Sequence, residues 1–277
     1  GCRVMEKLII TIAPTGNVPT REMTPHVPVT PEEIARDIMD CYRAGAAVAH
    51  IHARDENQKP THKVEFFAEI LRRLDELGCP VIRQLSTGGR HGRTLEERSA
   101  NLQLNPEMAS LCTGSTNFPN MAYVNPPDLV EHLARIMLER NIKPEIEVFD
   151  TAMINNAVLL KEAGLLREPL HFNFVLGIRG ALPATPKNLF HLVESLPPGS
   201  TWTVTVIGPQ HVYLSTIALA MGGHVRVGIE DNIYYQKGVL AKNVQLVERI
   251  VRIARAVGRD IATPDEARRI LGLKGNS

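Results

Sequence analysis

The chain has 277 residues, 44% of them hydrophobic and 22% charged, with a formal net charge of +1. That length is ample for a substantial core, and the balance is ordinary for a soluble globular protein. A near-neutral charge gives no footing for nucleic acid or an anionic membrane surface, and no apolar run approaches the roughly 20 residues of a membrane span.

Residues 1–4, ahead of Met5, read as an upstream extension, and residues 5–277 as a single domain. No secretory signal precedes the first strand. Cys2, Cys41, Cys79 and Cys112 are scattered with no Cys-x-x-Cys spacing. That usage fits reduced thiols in a cytoplasmic protein better than a disulfide framework.

The β-branched run at 7–12 predicts a buried strand, followed by a polar, Pro-rich loop through Thr15, Gly16 and Asn17. Thr30-Pro31-Glu32-Glu33 is a helix start, with Thr30 as N-cap and Glu33 closing a capping box; Gly45 stops that helix. A strand over 48–54 follows, then a helix over about 64–77, a strand over 80–85 and a helix from about Leu95. A fourth strand spans 108–111, and Pro127-Asp128 opens the next helix. The second half repeats the rhythm, with strands at 144–149, 171–175, 201–206 and 224–227. Helices follow near 151–163, 187–195, 211–221 and 243–256, and a short capped helix at 263–271 ends the chain. Eight strands alternating with eight helices in roughly 250 residues predict a (β/α)8 TIM barrel. An open doubly wound sheet usually carries a Gly-rich nucleotide loop after its first strand, and Thr15-Gly16-Asn17 is not one.

Barrel active sites lie where strands run into their following loops. The second strand brings His50 and His52 there, and side-chain alternation points both imidazoles the same way. Two such histidines supply two metal ligands, and a carboxylate from elsewhere completes a three-ligand site with an open position. The candidate is Glu230, because the eighth strand of a closed barrel neighbours the first, which neighbours the second. Arg226, Gly228 and Glu230 share a face if that strand stays extended, and Asp231 follows at once. Ser86 ends the third strand, and Ser110 to Thr113 end the fourth; each serves equally as a helix cap or a substrate contact. Glu145 and Glu147 lie in a strand covered on both faces, where a charge needs a partner, and Arg226 is the predicted mate of Glu147. Gly88-Gly89, beside Arg90 and Arg93, either cradles an anion or makes a turn. Cys112 reads as a packed thiol.

These residues carry a family likeness that runs nearly end to end. It passes through His50-Ile51-His52, Gln84-Leu85-Ser86-Thr87-Gly88-Gly89, Pro106-Glu107-Met108-Ala109-Ser110-Leu111 and Pro144-Glu145-Ile146-Glu147-Val148. Its most specific block is the stretch from Gly222 through Arg226 and Glu230 to Asn232. The chain resembles the β-keto acid cleavage enzymes, whose founding activity is 3-keto-5-aminohexanoate cleavage in lysine fermentation. The resemblance implies a zinc-dependent barrel with His50, His52 and Glu230 as ligands. It implies acyl exchange: a β-keto acid and acetyl-CoA give acetoacetate and a new CoA thioester. By the same likeness Asp231 is the general base, Arg226 held by Glu147 stabilises negative charge, and Ser86 and Ser110 bind substrate oxygens. Thr113 and Gly88 join them as candidate substrate contacts. A compact homotetramer is the implied assembly.

Two departures bear on substrate. The lysine-fermentation enzyme has a glutamate in its first loop for the substrate amine; here the matching residue is Val18. A desolvated ammonium without a carboxylate is costly, so a neutral or apolar tail is expected over an amino substrate. The turn 207–211 also lacks an Arg-Trp pair found there. Two rival functions make different predictions. An amidohydrolase-type enzyme places its His-x-His after the first strand and adds later histidines, whereas a metabolite-binding barrel predicts neither metal nor turnover.

Overall fold

Eight parallel strands close into a barrel in the computed structural model, which describes residues 5–90 and 93–273. In chain order they are β1 (Ile10–Ile12), β2 (Val48–Ile51), β3 (Ile82–Leu85), β4 (Met108–Cys112), β5 (Lys143–Val148), β6 (His171–Leu176), β7 (Thr201–Val206) and β8 (His224–Val227). Each is followed by a helix: α1 (Pro31–Ala44), α2 (Val64–Glu76), α3 (Leu95–Ser99), α4 (Pro127–Glu139), α5 (Thr151–Glu162), α6 (Pro186–Glu194), α7 (His211–Ala220) and α8 (Asn243–Ala256). The predicted barrel is therefore the observed one. The expected extension at 1–4 lies outside the described residues.

Closure puts β8 and β2 on either side of β1. Thr11 registers with Arg226 on one side and with Val48 on the other. The predicted capping box of α1 is present, Glu33 N–H donating to Thr30 Oγ1 at 3.1 Å and Thr30 N–H to Glu33 Oε1 at 3.2 Å.

Strand alternation sorts the side chains into two layers with opposite chemistry. Outward residues such as Ile12, Ile51, Leu111, Val148, Phe174 and Val204 are buried against the helices and form the main core. Inward residues are largely polar: Gln84, Glu145, His171, Asn173, Thr205 and Arg226 are all buried. A barrel interior is usually filled by branched apolar side chains; here its upper part is a hydrogen-bonded polar core. Apolar inward residues gather at the floor, where Val48, Ile82 and Met108 pack with Ala267 and Leu271. Those two come from α9 (Pro264–Leu271), the short capped terminal helix, which plugs the bottom. Arg268 fastens the plug through two bonds to the Glu107 carboxylate, 2.7 and 2.9 Å, and one to the Pro80 carbonyl, 2.9 Å. Among the described residues the barrel is thus covered at the bottom and opens at its carboxyl end.

Among the described residues, three short hairpins on that end go beyond the sequence expectation. The segment expected as one strand over 48–54 breaks at His52, and Ala53–Arg54 pairs antiparallel with Pro60–Thr61 instead. Thr116–Phe118 pairs with Met121–Tyr123, and Tyr234–Gln236 with Val239–Leu240. Among the described residues no helix is long and apolar enough to cross a membrane.

Candidate active site

His50 and His52 face the barrel mouth together, as their spacing requires, with ring centroids 5.1 Å apart. Their Nε2 atoms lie 3.8 and 3.3 Å from Oε2 of Glu230. One ligand atom from each of the three residues falls within 4.8 Å of the others. Two imidazole nitrogens and one carboxylate oxygen form a donor set suited to zinc. Burial, followed by the nearby Arg226, pushes His50 down to about 4, so it is neutral at pH 7 and its lone pair is free to bind a metal. Burial alone would raise Glu230, but His52, Arg226 and His50 outweigh it and keep the carboxylate ionised. Its second oxygen, Oε1, is buried without a hydrogen-bond partner. A buried carboxylate oxygen with no hydrogen-bond donor beside it has a lone pair left for a metal ion. The three residues fit a divalent metal.

Glu230 reaches this place because β8 does not stay extended. The strand ends at Val227, and Gly228 turns at φ +152°. A Cβ there would lie 1.9 Å from the Ala13 carbonyl oxygen, so only glycine passes β1 this closely. The N–H groups of Asp231 and Asn232 both donate to the Gly228 carbonyl at 3.0 Å, closing the turn. An extended strand would have thrown Glu230 and Asp231 to opposite faces; the turn aims both into the mouth. Gly16 makes room from the other side, where a Cβ would stand 2.5 Å from Glu230 Cγ.

Arg226 departs from its expected pairing. Its guanidinium donates to Asp231 through Nε at 3.0 Å and Nη2 at 2.8 Å, and to Glu230 through Nη2 at 2.8 Å. The turn at Gly228 brings those two acids nearer than β5 can bring Glu147. Glu147 faces the same cavity, and burial pushes it up to about 7 against the pull of Arg226. Asp231, gripped in that fork, is raised to about 6, burial outweighing the arginine. The pair Glu230 and Asp231 is thus split, the first held anionic and the second able to take up a proton near neutrality.

Ser86, Gly88, Ser110 and Val18 all line the cavity. Ser86 Oγ accepts from Gly88 N–H at 3.1 Å, and Ser110 Oγ from Thr87 N–H at 3.1 Å, which fixes both hydroxyls. Gly88-Gly89 is a packed turn: a Cβ on Gly89 would meet Arg98 Cδ at 2.5 Å. Thr113 does not join the site. It is an odd number of residues from Ser110, so alternation sends it outward, and its hydroxyl donates to the Met153 carbonyl at 2.8 Å. Cys112 is a buried free thiol, as expected.

The first loop is held by Arg54, which donates to the carbonyls of Gly16 (2.9 Å), Thr15 (3.2 Å), Pro19 (2.8 Å) and Gln58 (3.1 Å). That clamp sets Val18 at the rim. Sequence reasoning did not foresee the wall, where Phe118 and Tyr123 arrive on the second hairpin and stack at 4.8 Å. Arg90 was visible only as a neighbour of Gly88-Gly89, yet it lines the same cavity.

The comparisons with known proteins agree with this geometry. The profile of the family described as beta-keto acid cleavage enzyme matches residues 7–273. The chain is 47% identical to the 3-keto-5-aminohexanoate cleavage enzyme of Fusobacterium nucleatum, over 98% of this chain and all of that one (100%). It is 40% identical to the 3-oxoadipate:acetyl-CoA acetyltransferase of Cupriavidus necator, over 96% of this chain and 94% of the relative. Among solved structures, ObcA in its apo form superposes with a TM-score of 0.76 at 24% identity, covering 90% of this chain and 66% of that one. Full-length similarity to relatives of this kind, on a closed barrel with a His-His-Glu mouth, places the chain in the β-keto acid cleavage enzyme family.

Proposed function

We propose that the protein is a β-keto acid:acetyl-CoA enzyme that forms acetoacetate and a new acyl-CoA. The observation that carries this reading is the convergence of His50, His52 and Glu230 within 4.8 Å, beside an Asp231 gripped by Arg226. The three ligands would hold zinc, which when bound supplies Lewis-acid polarisation of the keto oxygen.

The protein's own groups account for the rest. Asp231 takes the proton from the carbon between the keto group and the carboxylate. That carbon attacks the acetyl thioester carbonyl and CoA thiolate leaves. The thiolate then adds to the original keto carbon, and the bond between that carbon and its α-carbon breaks. The α-carbon leaves with the electron pair and takes back the proton held by Asp231, giving acetoacetate and the new thioester. Arg226 stabilises the negative charge that forms in each addition. Ser86 and Ser110, with the Gly88 turn, orient the acid's oxygens, and Glu147 serves as a second proton-transfer group at the mouth. Val18 offers the tail an apolar contact with no carboxylate, so neutral tails are favoured over an ammonium.

Residues 5–277 are read as one domain. The buried free thiols of Cys41, Cys79 and Cys112 support a cytoplasmic setting. A homotetramer is the assembly we infer from the family, and exposed Tyr213, Tyr234 and Val239 provide apolar surface a second copy can cover. A monomer by light scattering at micromolar concentration would contradict it.

The deciding experiment is a product screen with acetyl-CoA and a panel of β-keto acids, run on wild type and His52→Ala. Acetoacetate and a new CoA thioester are expected from the wild type, and neither product nor bound metal from a variant whose circular dichroism is unchanged. Stoichiometric zinc in His52→Ala sinks the ligand assignment. Hydrolysis of amides or lactones without acyl exchange sinks the reaction.

A further inference from the structure

Among the described residues, the guanidinium of Arg90 in the cavity meets no hydrogen-bond or ion-pair acceptor. Arg90 lines the mouth together with His50, His52, Glu230 and Val18. Its guanidinium lies over the Phe118 ring, 4.6 Å from the centroid, and Phe118 is itself braced by Tyr123. The ring shields one side of the guanidinium, and among the described residues its N–H groups make no hydrogen bond. No carboxylate among the described residues comes within the 4.0 Å of an ion pair. The acidic groups that feel its charge are Tyr123, then Glu230 and Glu147 in the same cavity.

The other buried arginines behave differently. Arg54 donates to four backbone carbonyls. Arg98 donates to the carbonyls of Thr87 and Val124 and to Asn125 Oδ1. Arg226 holds two carboxylates. A half-buried guanidinium whose donors meet no protein acceptor is left to water or to a ligand that supplies one. The group that matches its fork is a planar anion.

We propose that Arg90 determines specificity by binding a carboxylate at the far end of the β-keto acid, so that the preferred substrates are short β-keto dicarboxylic acids. This rests on the reading of the site as a β-keto acid enzyme, because the acid's own carboxylate and keto oxygens are taken up at the floor. Only a second anionic group remains to reach Arg90. The phosphates of CoA are the other source of such a group. The pantetheine arm holds them far from the thioester carbon, whereas Arg90 shares one cavity with the metal ligands. Val18 removes the contact an ammonium needs; Arg90 adds the charge that repels it and favours its opposite.

The test is calorimetric binding of 3-oxoadipate and 3-oxohexanoate to zinc-loaded wild type, Arg90→Gln and Arg90→Lys, with acetyl-CoA binding measured alongside. The wild type is expected to bind the dicarboxylate about 10–100-fold more tightly, as a charge-assisted bidentate contact gives. Arg90→Gln should lose that preference, Arg90→Lys should keep part of it, and acetyl-CoA affinity should not move. Equal affinities in the wild type overturn the proposal, as does a preference that survives in Arg90→Gln. Weakened acetyl-CoA binding with acid discrimination intact assigns the guanidinium to a CoA phosphate and overturns it too. Failure of the enzymatic reading looks different: the preference for the dicarboxylate holds, and neither acid yields acetoacetate.

Discussion

His50 Nδ1 lies 2.6 Å from Gln84 Oε1, and the same amide donates through Nε2 to Glu145 Oε2 at 3.0 Å. Glu145 in turn lies 3.4 Å from His171 Nε2. Because the Gln84 nitrogen is committed to a carboxylate, its oxygen must accept, and His50 must carry its proton on Nδ1. The histidine therefore presents a bare Nε2 to the mouth. Removing Gln84 frees the ring to rotate and to change tautomer. Gln84→Ala should weaken metal binding by about 10–100-fold while Glu230 and His52 stay in place. Competition against a chromophoric chelator measures this, and an unchanged affinity would show that packing alone fixes the ring.

Asp231→Asn separates base from ligand. Both Asp231 oxygens accept from Arg226, and an amide keeps one of those bonds. The metal should stay at full stoichiometry while turnover falls by about 10²–10⁴-fold. Loss of metal instead would make Asp231 a ligand.

Val18→Glu places a carboxylate on the rim of the cavity. Val18 is 52% exposed and lines the cavity, so the longer acid is accommodated without displacing core. The ratio of kcat/KM for 3-keto-5-aminohexanoate over a neutral isostere should rise by roughly 10-fold or more. An unchanged ratio would mean that position 18 does not reach the tail.

Asp37 on α1 gives a pH signature distinct from catalysis. Its Oδ2 accepts from Asn243 Nδ2 at 2.6 Å, and Asn243 also donates to the Pro14 carbonyl at 3.1 Å and accepts from Ile229 N–H at 2.8 Å. Burial raises Asp37 from 3.8 to about 6, with Asp40 adding to the rise. Between those values the folded state holds more protons than the unfolded one, so this group lowers stability as pH climbs through the window. Asp37→Asn keeps an acceptor for Asn243 and removes the ionisation. It should stabilise the fold by about 1–3 kcal/mol above pH 6, with the gain vanishing near pH 4. Urea unfolding at pH 4 and pH 8 checks this; a gain equal at both values would assign the effect to something other than charge.

Much of the molecule is written locally. The alternation of β2 alone aims His50 and His52 the same way. The caps at Thr30 and Thr263 start their helices through contacts four residues long. The alternating rhythm of strands and helices leaves a closed barrel as the consistent arrangement, and closure brings β8 to within one strand of β2. Other features depend on groups far apart in the chain. Whether Arg226 meets Glu147 or Asp231 depends on how β8 turns after Val227, and that turn requires glycine at 228 because the Ala13 carbonyl at β1's exit leaves no room for a Cβ. The chain from His50 through Gln84 and Glu145 to His171 joins four strands, and only the register of the closed sheet sets which inward side chains lie level. Arg90 gained its meaning the same way, from Phe118 on a distant hairpin. Periodicity fixes which face a side chain takes, because that is a property of consecutive residues. Its partner across the barrel is fixed by strand register and loop path, which are settled only when the whole sheet has closed.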